Sequence, residues 1–178
     1  QCEWFCLARR TERFSLYYPL GFLYLTFCFL CFLSIGIEKS IDGVVLVALV
    51  IASDIGAYFT GKMIGGPKMA PLISPNKTWA GLGGAMFSPA ILLVLAENFI
   101  LRDQMSDFYP GVLFFAFGAL IGLFGQMGDI LISLMKRIAG VKDTGDILPG
   151  HGGVLDRIDS LLLACPVFLL LEYLLGNV

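Results

Sequence analysis

Five apolar runs decide most of what this chain can become. They cover roughly residues 17–37, 44–64, 79–101, 111–135 and 158–175. Each is near the ~20 residues that cross a hydrocarbon layer of ~30 Å at about 1.5 Å rise per residue. The expected fold class is an all-α polytopic integral membrane protein of about five transmembrane helices, forming one membrane domain over residues 1–178. Composition agrees, with 57% apolar and 15% charged residues, where a soluble domain carries about 25% charged. The fourth run is long enough to tilt or to project beyond the bilayer, and Pro166 is expected to kink the fifth.

The basic residues alternate from loop to loop. Arg9, Arg10 and Arg13 precede the first run, Lys62, Lys68 and Lys77 border the loop after the second, and Lys136, Arg137, Lys142 and Arg157 the loop after the fourth. That makes ten on one side against Lys39 and Arg102 on the other. The bias of lysine and arginine toward the cytoplasm then places the large polar loops and their cavity there, with the C-terminus on the far side. No basic stripe points to nucleic acid. Cys28 and Cys31 form a CxxC, but it lies inside an apolar run with no second ligand pair, so packing outranks zinc or redox chemistry. Gly118 and Gly122 form a GxxxG, which reads as a close helix–helix contact.

Charge concentrates in one island. Ser133–Ser160 holds four of the twelve basic residues, four aspartates and the only histidine. It cannot lie in lipid, where unpaired charge and backbone go unsatisfied, so it faces water or lines a polar cavity. Asp129 and Lys136, seven residues apart, share a helix face at the end of the fourth run. Asp156 and Asp159 share one at the start of the fifth. Carboxylates brought together from two helix ends suit Mg²⁺, which takes one or two carboxylates plus substrate phosphate oxygens. The blander alternative is that Asp156 caps the fifth helix while Asp159 pairs with Arg157 or Lys136. Between them, Gly150, Gly152 and Gly153 let the backbone approach a ligand closely. His151 reads more readily as a turn histidine donating a hydrogen bond than as a general base.

Two further stretches carry polar groups. Asp54 sits within the second run, where an unpaired charge costs about 2.5–3.5 kcal/mol on insertion scales, and Asp54, Tyr58 and Gly61 share one helix face. A functional polar cavity is favoured over a carboxylate merely bonded between helices. The loop Ser74-Pro75-Asn76-Lys77-Thr78-Trp79 leads into the third run, whose helix start would favour an anion. A Ser or Thr cap with a snorkelling lysine explains it equally well. The absence of Walker A, GxGxxG and GxSxG patterns argues against a P-loop NTPase, a Rossmann domain and an α/β-hydrolase.

At these residues a resemblance becomes specific. Lys136-Arg137, Lys142-Asp143, Pro149-Gly150-His151-Gly152-Gly153 and Asp156-Arg157-Ile158-Asp159 together resemble the signature of the phosphatidate cytidylyltransferases. Asp54-Ile-Gly-Ala57-Tyr58-Phe-Thr-Gly61 is similar to that family's D-x-x-A-Y-x-x-G helix, and Ser74-Pro75-Asn76-Lys77-Thr78 to its S-P-x-K-T loop. Ala80 stands where many members have an acidic residue, so no role for that acid carries over. Members usually run longer at the N-terminus, so the expectation is a truncated chain or the C-terminal catalytic part.

The resemblance implies CTP and phosphatidate as substrates, CDP-diacylglycerol and pyrophosphate as products, and Mg²⁺ as cofactor, with room for a second cation. It further implies residence in a bacterial-type inner membrane among membrane lipids. A homodimer stays open. On that reading Asp129 and Asp156 hold metal, with Asp159 against or just behind it. Lys136, Arg137, Lys142 and Arg157 offset phosphate charge, with Asp143 and His151 beside them in the catalytic loop. Asp54, Tyr58, Ser74, Asn76, Lys77, Thr78, Gly152 and Gly153 line the substrate site. Two rivals are a CTP-dependent polyprenol kinase and an ion-coupled transporter using Asp54 and Asp129.

Overall fold

A computed structural model of the chain describes residues 1–38, 40–96, 111–145 and 152–176. His151, Lys39 and Arg102, on which some expectations above rest, lie outside these residues. The elements are α1 (Cys2–Arg9), α2 (Phe14–Glu38), α3 (Ser40–Met63), β1 (Lys68–Ala70), β2 (Ser74–Thr78), α4 (Trp79–Ala96), α5 (Gly111–Ile138) and α6 (Leu155–Gly176). Each of the five apolar runs therefore became a helix, with ends shifted by a few residues. By length and composition, α2, α3, α4 and α5 are able to cross a membrane. The charge-bearing α6 packs against α5 and α2. Pro166 lies inside α6. Large apolar side chains such as Leu23, Phe27, Phe29 and Val44 point outward rather than into the protein, as they do when the surrounding solvent is lipid.

Two elements were not foreseen. The first is α1, an eight-residue helix in a segment too mixed in character to announce one. Its Trp4 and Leu7 are buried in a small core with Cys28, Ile132, Leu155 and Leu162. The second is the antiparallel hairpin of β1 and β2, in register Lys68 with Thr78 and Ala70 with Ser74. It occupies the polar loop between α3 and α4. Arg137 Nε donates to Ile73 O at 3.1 Å and so fastens the hairpin to the end of α5.

The middle of the bundle is assembled through glycine. Gly56 of α3 and Gly84 of α4 face each other so closely that a Cβ on either would stand 2.5 Å from the other's carbonyl oxygen. On the other side of α4, a Cβ at Gly118 would stand 2.5 Å from Pro89 O, and one at Gly122 would overlap Ala85 O. The GxxxG of α5 is thus a close contact with α4, as expected. Hydroxyls seal the α3–α4 seam, with Thr60 Oγ1 donating to Ala80 O (3.0 Å) and Ser88 Oγ to Ala52 O (2.7 Å). Around this seam lies the larger apolar core, with Ile35, Leu46, Leu49, Ile121 and Ala164 at its centre. Cys28, Cys31 and Cys165 are buried free thiols, in keeping with packing rather than redox work.

Candidate functional site

Local structure at two helix ends delivers the charged residues. Thr78 closes β2 and caps α4, its hydroxyl accepting the Gly81 N–H at 3.0 Å. This satisfies one of the orphan donors of the helix start and fixes where Lys77, the preceding residue, points. α5 ends in a Schellman motif. Gly140 has φ +68°, its N–H bonds Arg137 O (3.1 Å), and the Val141 N–H bonds Lys136 O (2.9 Å). Glycine reaches that left-handed conformation without a Cβ penalty, and the chain turns back there toward the start of α6.

Lys77 reaches 49 residues along the chain to α5. Its Nζ lies 2.7 Å from Asp129 Oδ2 and 3.0 Å from Gln126 Oε1. Gln126 passes the connection on, its Nε2 donating to Asp54 Oδ1 of α3 at 3.2 Å. The Ser160 hydroxyl of α6 lies 3.5 Å from the other Asp54 oxygen and 3.3 Å from Asp159 Oδ1, and its N–H donates to Asp159 at 2.8 Å. Asp129 also takes the Ser133 hydroxyl at 3.1 Å. Aspartates from α3, α5 and α6 are thereby linked through one lysine, one glutamine and one serine.

A second ion pair stands beside this cluster. Lys136 Nζ meets Asp156 Oδ1 at 2.7 Å. The other oxygen, Oδ2, accepts the Thr144 N–H (2.8 Å), the Thr144 hydroxyl (2.9 Å) and the Gly153 N–H (3.0 Å). Gly153 lies just ahead of α6, so Asp156 in the first helical turn reaches back to fasten the turn that leads into the helix. Partial burial works against the charge on Asp156. Lys136 and the donors at Thr144 and Gly153 outweigh it and hold the carboxyl below its usual range.

The expected residues thus fall into groups. Asp54, Lys77, Asp129 and Asp159 share one polar cluster, and Lys136 and Asp156 pair next to it. Asp156 binds Thr144 and Gly153 ahead of α6, while Lys136 chooses Asp156 rather than Asp159. Thr78 is a cap with a buried side chain. Tyr58 turns to its own helix, its hydroxyl accepting from Lys62 Nζ at 3.3 Å. Ser74 and Asn76 belong to the hairpin strand β2, and Asn76 is exposed. Lys142, Asp143, Arg137 and Arg157 are exposed, and Gly152 (φ +80°) and Gly153 form the turn into α6. Sequence reasoning missed Gln126, Ser133, Thr144, Ser160 and Glu3. Gln126 was visible as a polar residue in a long apolar run and Ser160 as the neighbour of Asp159, whereas nothing near Glu3 in the sequence pointed to α6.

Among the described residues no three acidic, cysteine or histidine side chains converge into a closed metal cage. The donor set nonetheless suits Mg²⁺. That ion binds through one or two carboxylates and completes its octahedron with water and phosphate oxygens, and it suits a half-buried cluster with more carboxylates than ammonium groups.

The family model described as "Cytidylyltransferase family" matches residues 4–175. A phosphatidate cytidylyltransferase of Bacillus subtilis (strain 168) is 41% identical over 150 residues, covering 83% of this chain and 54% of the relative. One from Brucella suis is 44% identical over 136 residues, covering 76% and 46%. One from Staphylococcus aureus (strain COL) is 39% identical over 158 residues, covering 83% and 58%. The chain spans about half the length of these curated relatives.

Proposed function

The chain belongs to the cytidylyltransferase family, and on that premise we propose that the protein transfers the cytidylyl group of CTP to phosphatidate, releasing pyrophosphate. The observation that carries this reading is the Lys77–Asp129 pair. It joins the hairpin lysine to the aspartate of α5, and through Gln126 to the intramembrane Asp54. Ser160, which bonds Asp159 and lies 3.5 Å from Asp54, brings the third of the resembling stretches to the same polar cluster, which suits two polyanions, one of them a lipid.

In this mechanism the chain's own residues mainly hold and neutralise charge. Lys77 and Lys136 each occupy one oxygen of an aspartate, Asp129 Oδ2 and Asp156 Oδ1. When phosphates enter, both ammonium groups turn to phosphate oxygens and free those carboxylate oxygens. Asp129 and Asp156, with Asp159 beside them, would then hold Mg²⁺. Bound there, the ion would supply Lewis-acid stabilisation of charge on the phosphate oxygens. Arg137, Lys142 and Arg157 offset further phosphate charge from the exposed rim.

A phosphate monoester, with a second pKa of about 6, is already largely ionised at neutral pH. The phosphatidate oxygen can therefore attack the α-phosphorus of CTP without a dedicated base. A new P–O bond forms as the bond to the β-phosphate oxygen breaks, and pyrophosphate carries away the leaving charge. Positioning and preorganised electrostatics supply the rate. The polar loops face the cytoplasm, where CTP is available.

Incubation with CTP labelled on the α-phosphorus, Mg²⁺ and phosphatidate tests the proposal. Label should appear in a CDP-lipid with equimolar pyrophosphate. Labelled CDP formed only when a polyprenol replaces phosphatidate, with no labelled lipid in either incubation, would overturn it in favour of a kinase.

A further inference from the structure

The part of the molecule that the reaction leaves unexplained is α1, and its buried carboxylate shows what the helix does. Glu3 is 8% exposed. It reaches a partner more than 150 residues away in sequence, as Val154 N–H donates to Oε1 (2.8 Å) and Leu155 N–H to Oε2 (2.7 Å). These amides belong to the start of α6, where the helix has no carbonyls of its own to offer them. A negative charge there also faces the positive end of the helix dipole.

The same carboxylate stands at the back of the Asp156 cluster. Thr144 Oγ1 lies 2.9 Å from Asp156 Oδ2 and 3.4 Å from Glu3 Oε2, so one hydroxyl bridges the two acids. Gly153 leaves the room for this approach. A Cβ on it would stand 2.8 Å from Glu3 Oε1 and would overlap the Thr144 hydroxyl. α1 is itself pinned. Trp4 Nε1 donates to Tyr17 O at 3.2 Å, and its indole fills the space over Gly21. Glu3 is thus a fixed strut from the N-terminal helix to the first turn of α6, the turn that carries Asp156 and leads into Asp159.

The geometry points to Glu3 as a positioning residue for cytidylyl transfer, an inference that rests on the function proposed above. Glu3 touches neither substrate nor reacting atoms. It holds the start of α6, and with it the Thr144 loop, so that Asp156 and Asp159 keep the placement that the reaction needs. A misplacement of about 1 Å in such a scaffold costs on the order of a hundredfold in rate.

Glu3→Gln is the informative variant. The amide keeps the size but sets an N–H₂ against backbone N–H groups. Two readouts are taken on the purified protein in detergent: hydrogen exchange of the segment containing Val154 and Leu155, and steady-state transfer kinetics. The expected result is faster exchange at the start of α6 with α4 unchanged, together with a fall in kcat of about ten- to a hundredfold. The KM for CTP stays within about twofold, and kcat is counted per folded molecule, because loss of folded protein by itself lowers the apparent kcat at constant KM; unchanged exchange in α4 reports that the fold is intact. Faster exchange with normal kcat overturns the inference, as does unchanged exchange. If Glu3→Gln fails to fold, Glu3→Asp keeps the charge but shortens the reach to the Val154 and Leu155 amides, and should show the same pattern. Normal kcat in that variant is then the refuting result. A wild-type protein that makes no CDP-lipid in the same assay fails the transfer reading itself, whereas an active wild type with indifferent variants fails only the role of Glu3.

Discussion

Replacing Lys77 by methionine separates the two duties assigned to that residue. Methionine keeps the length and apolar stem and removes only the ammonium group. The lost interactions are a 2.7 Å ion pair with Asp129 and hydrogen bonds to Gln126 Oε1 (3.0 Å) and Gln126 O (3.3 Å). Breaking a fully buried pair costs about 3–5 kcal/mol, and breaking an exposed one about 0–1 kcal/mol. The side chains here are 15% and 28% exposed, so the expected loss lies between those limits, at about 2 kcal/mol. Much of it is the cost of leaving Asp129 uncompensated beside Asp54 and Asp159. Adding Asp54→Asn removes one of the crowded charges and should recover about 1 kcal/mol, the usual size of coupling between neighbours.

Activity should behave differently from stability. A lost charge-assisted hydrogen bond to phosphate is worth about 1.5–3 kcal/mol, or roughly ten- to a hundredfold in kcat/KM. The Asp54→Asn change cannot restore it. Unfolding titrations in mixed micelles give the first quantity and transfer of labelled CTP the second. A loss below about 0.5 kcal/mol would mean that the pair behaves as a surface contact. Recovery of activity along with stability in the double variant would mean that Lys77 serves only as a counter-ion to the acids, and the phosphate role would fall.

Three further outcomes are expected. Asp129→Asn should abolish turnover while leaving the protein folded, and near-normal activity at ordinary Mg²⁺ would remove Asp129 from the proposed metal site. Gly122→Ala puts a methyl group into Ala85 O, and overpacking of this kind costs about 1–3 kcal/mol, measurable as a lower unfolding midpoint. The third outcome concerns acid stability. The native-state pKa of Asp156 is depressed, so its contribution is present above the unfolded value of about 4 and is lost as pH falls through the lower folded value. Asp156→Asn should flatten the stability profile below about pH 4 and leave its slope near neutrality unchanged. A steep acid limb that persists in the variant would assign the effect to another group.

The helices were legible because lipid leaves a membrane segment little choice. A run of twenty apolar residues has few structures open to it, and the ends of α2 through α6 lie within a few residues of the expected ones, the last part of the third run (97–101) lying outside the described residues. The charged cluster was legible as a set but not as a set of pairs. Spacing alone put Asp129 and Lys136 on one face of α5, yet each found its partner elsewhere, in Lys77 and Asp156. Those pairings depend on how α4 and α6 dock on α5, which no local pattern encodes. Glu3 shows the same limit more sharply, because its ligands are backbone amides that look identical at every position in a sequence. The hairpin was missed for a simpler reason. Ser74-Pro75-Asn76 reads as loop by propensity, and it is strand only because Lys68–Ala70 lies alongside it.

The glycine seam has a consequence for how this molecule can vary. At most positions in the bundle a substitution is graded, since one side chain can be exchanged for another of similar volume and the neighbours adjust. At Gly56, Gly84, Gly118 and Gly122 there is no gradation, because the smallest change available to the genetic code already meets a carbonyl oxygen or a helix backbone. A saturation scan of the chain would therefore draw the bundle in negative. Columns of near-total intolerance would fall at those glycines, flanked by lipid-facing positions such as Phe87 and Leu120 that accept many replacements. The spacing of the empty columns, one helical turn apart on α5, would report the α4–α5 contact without any structure determination.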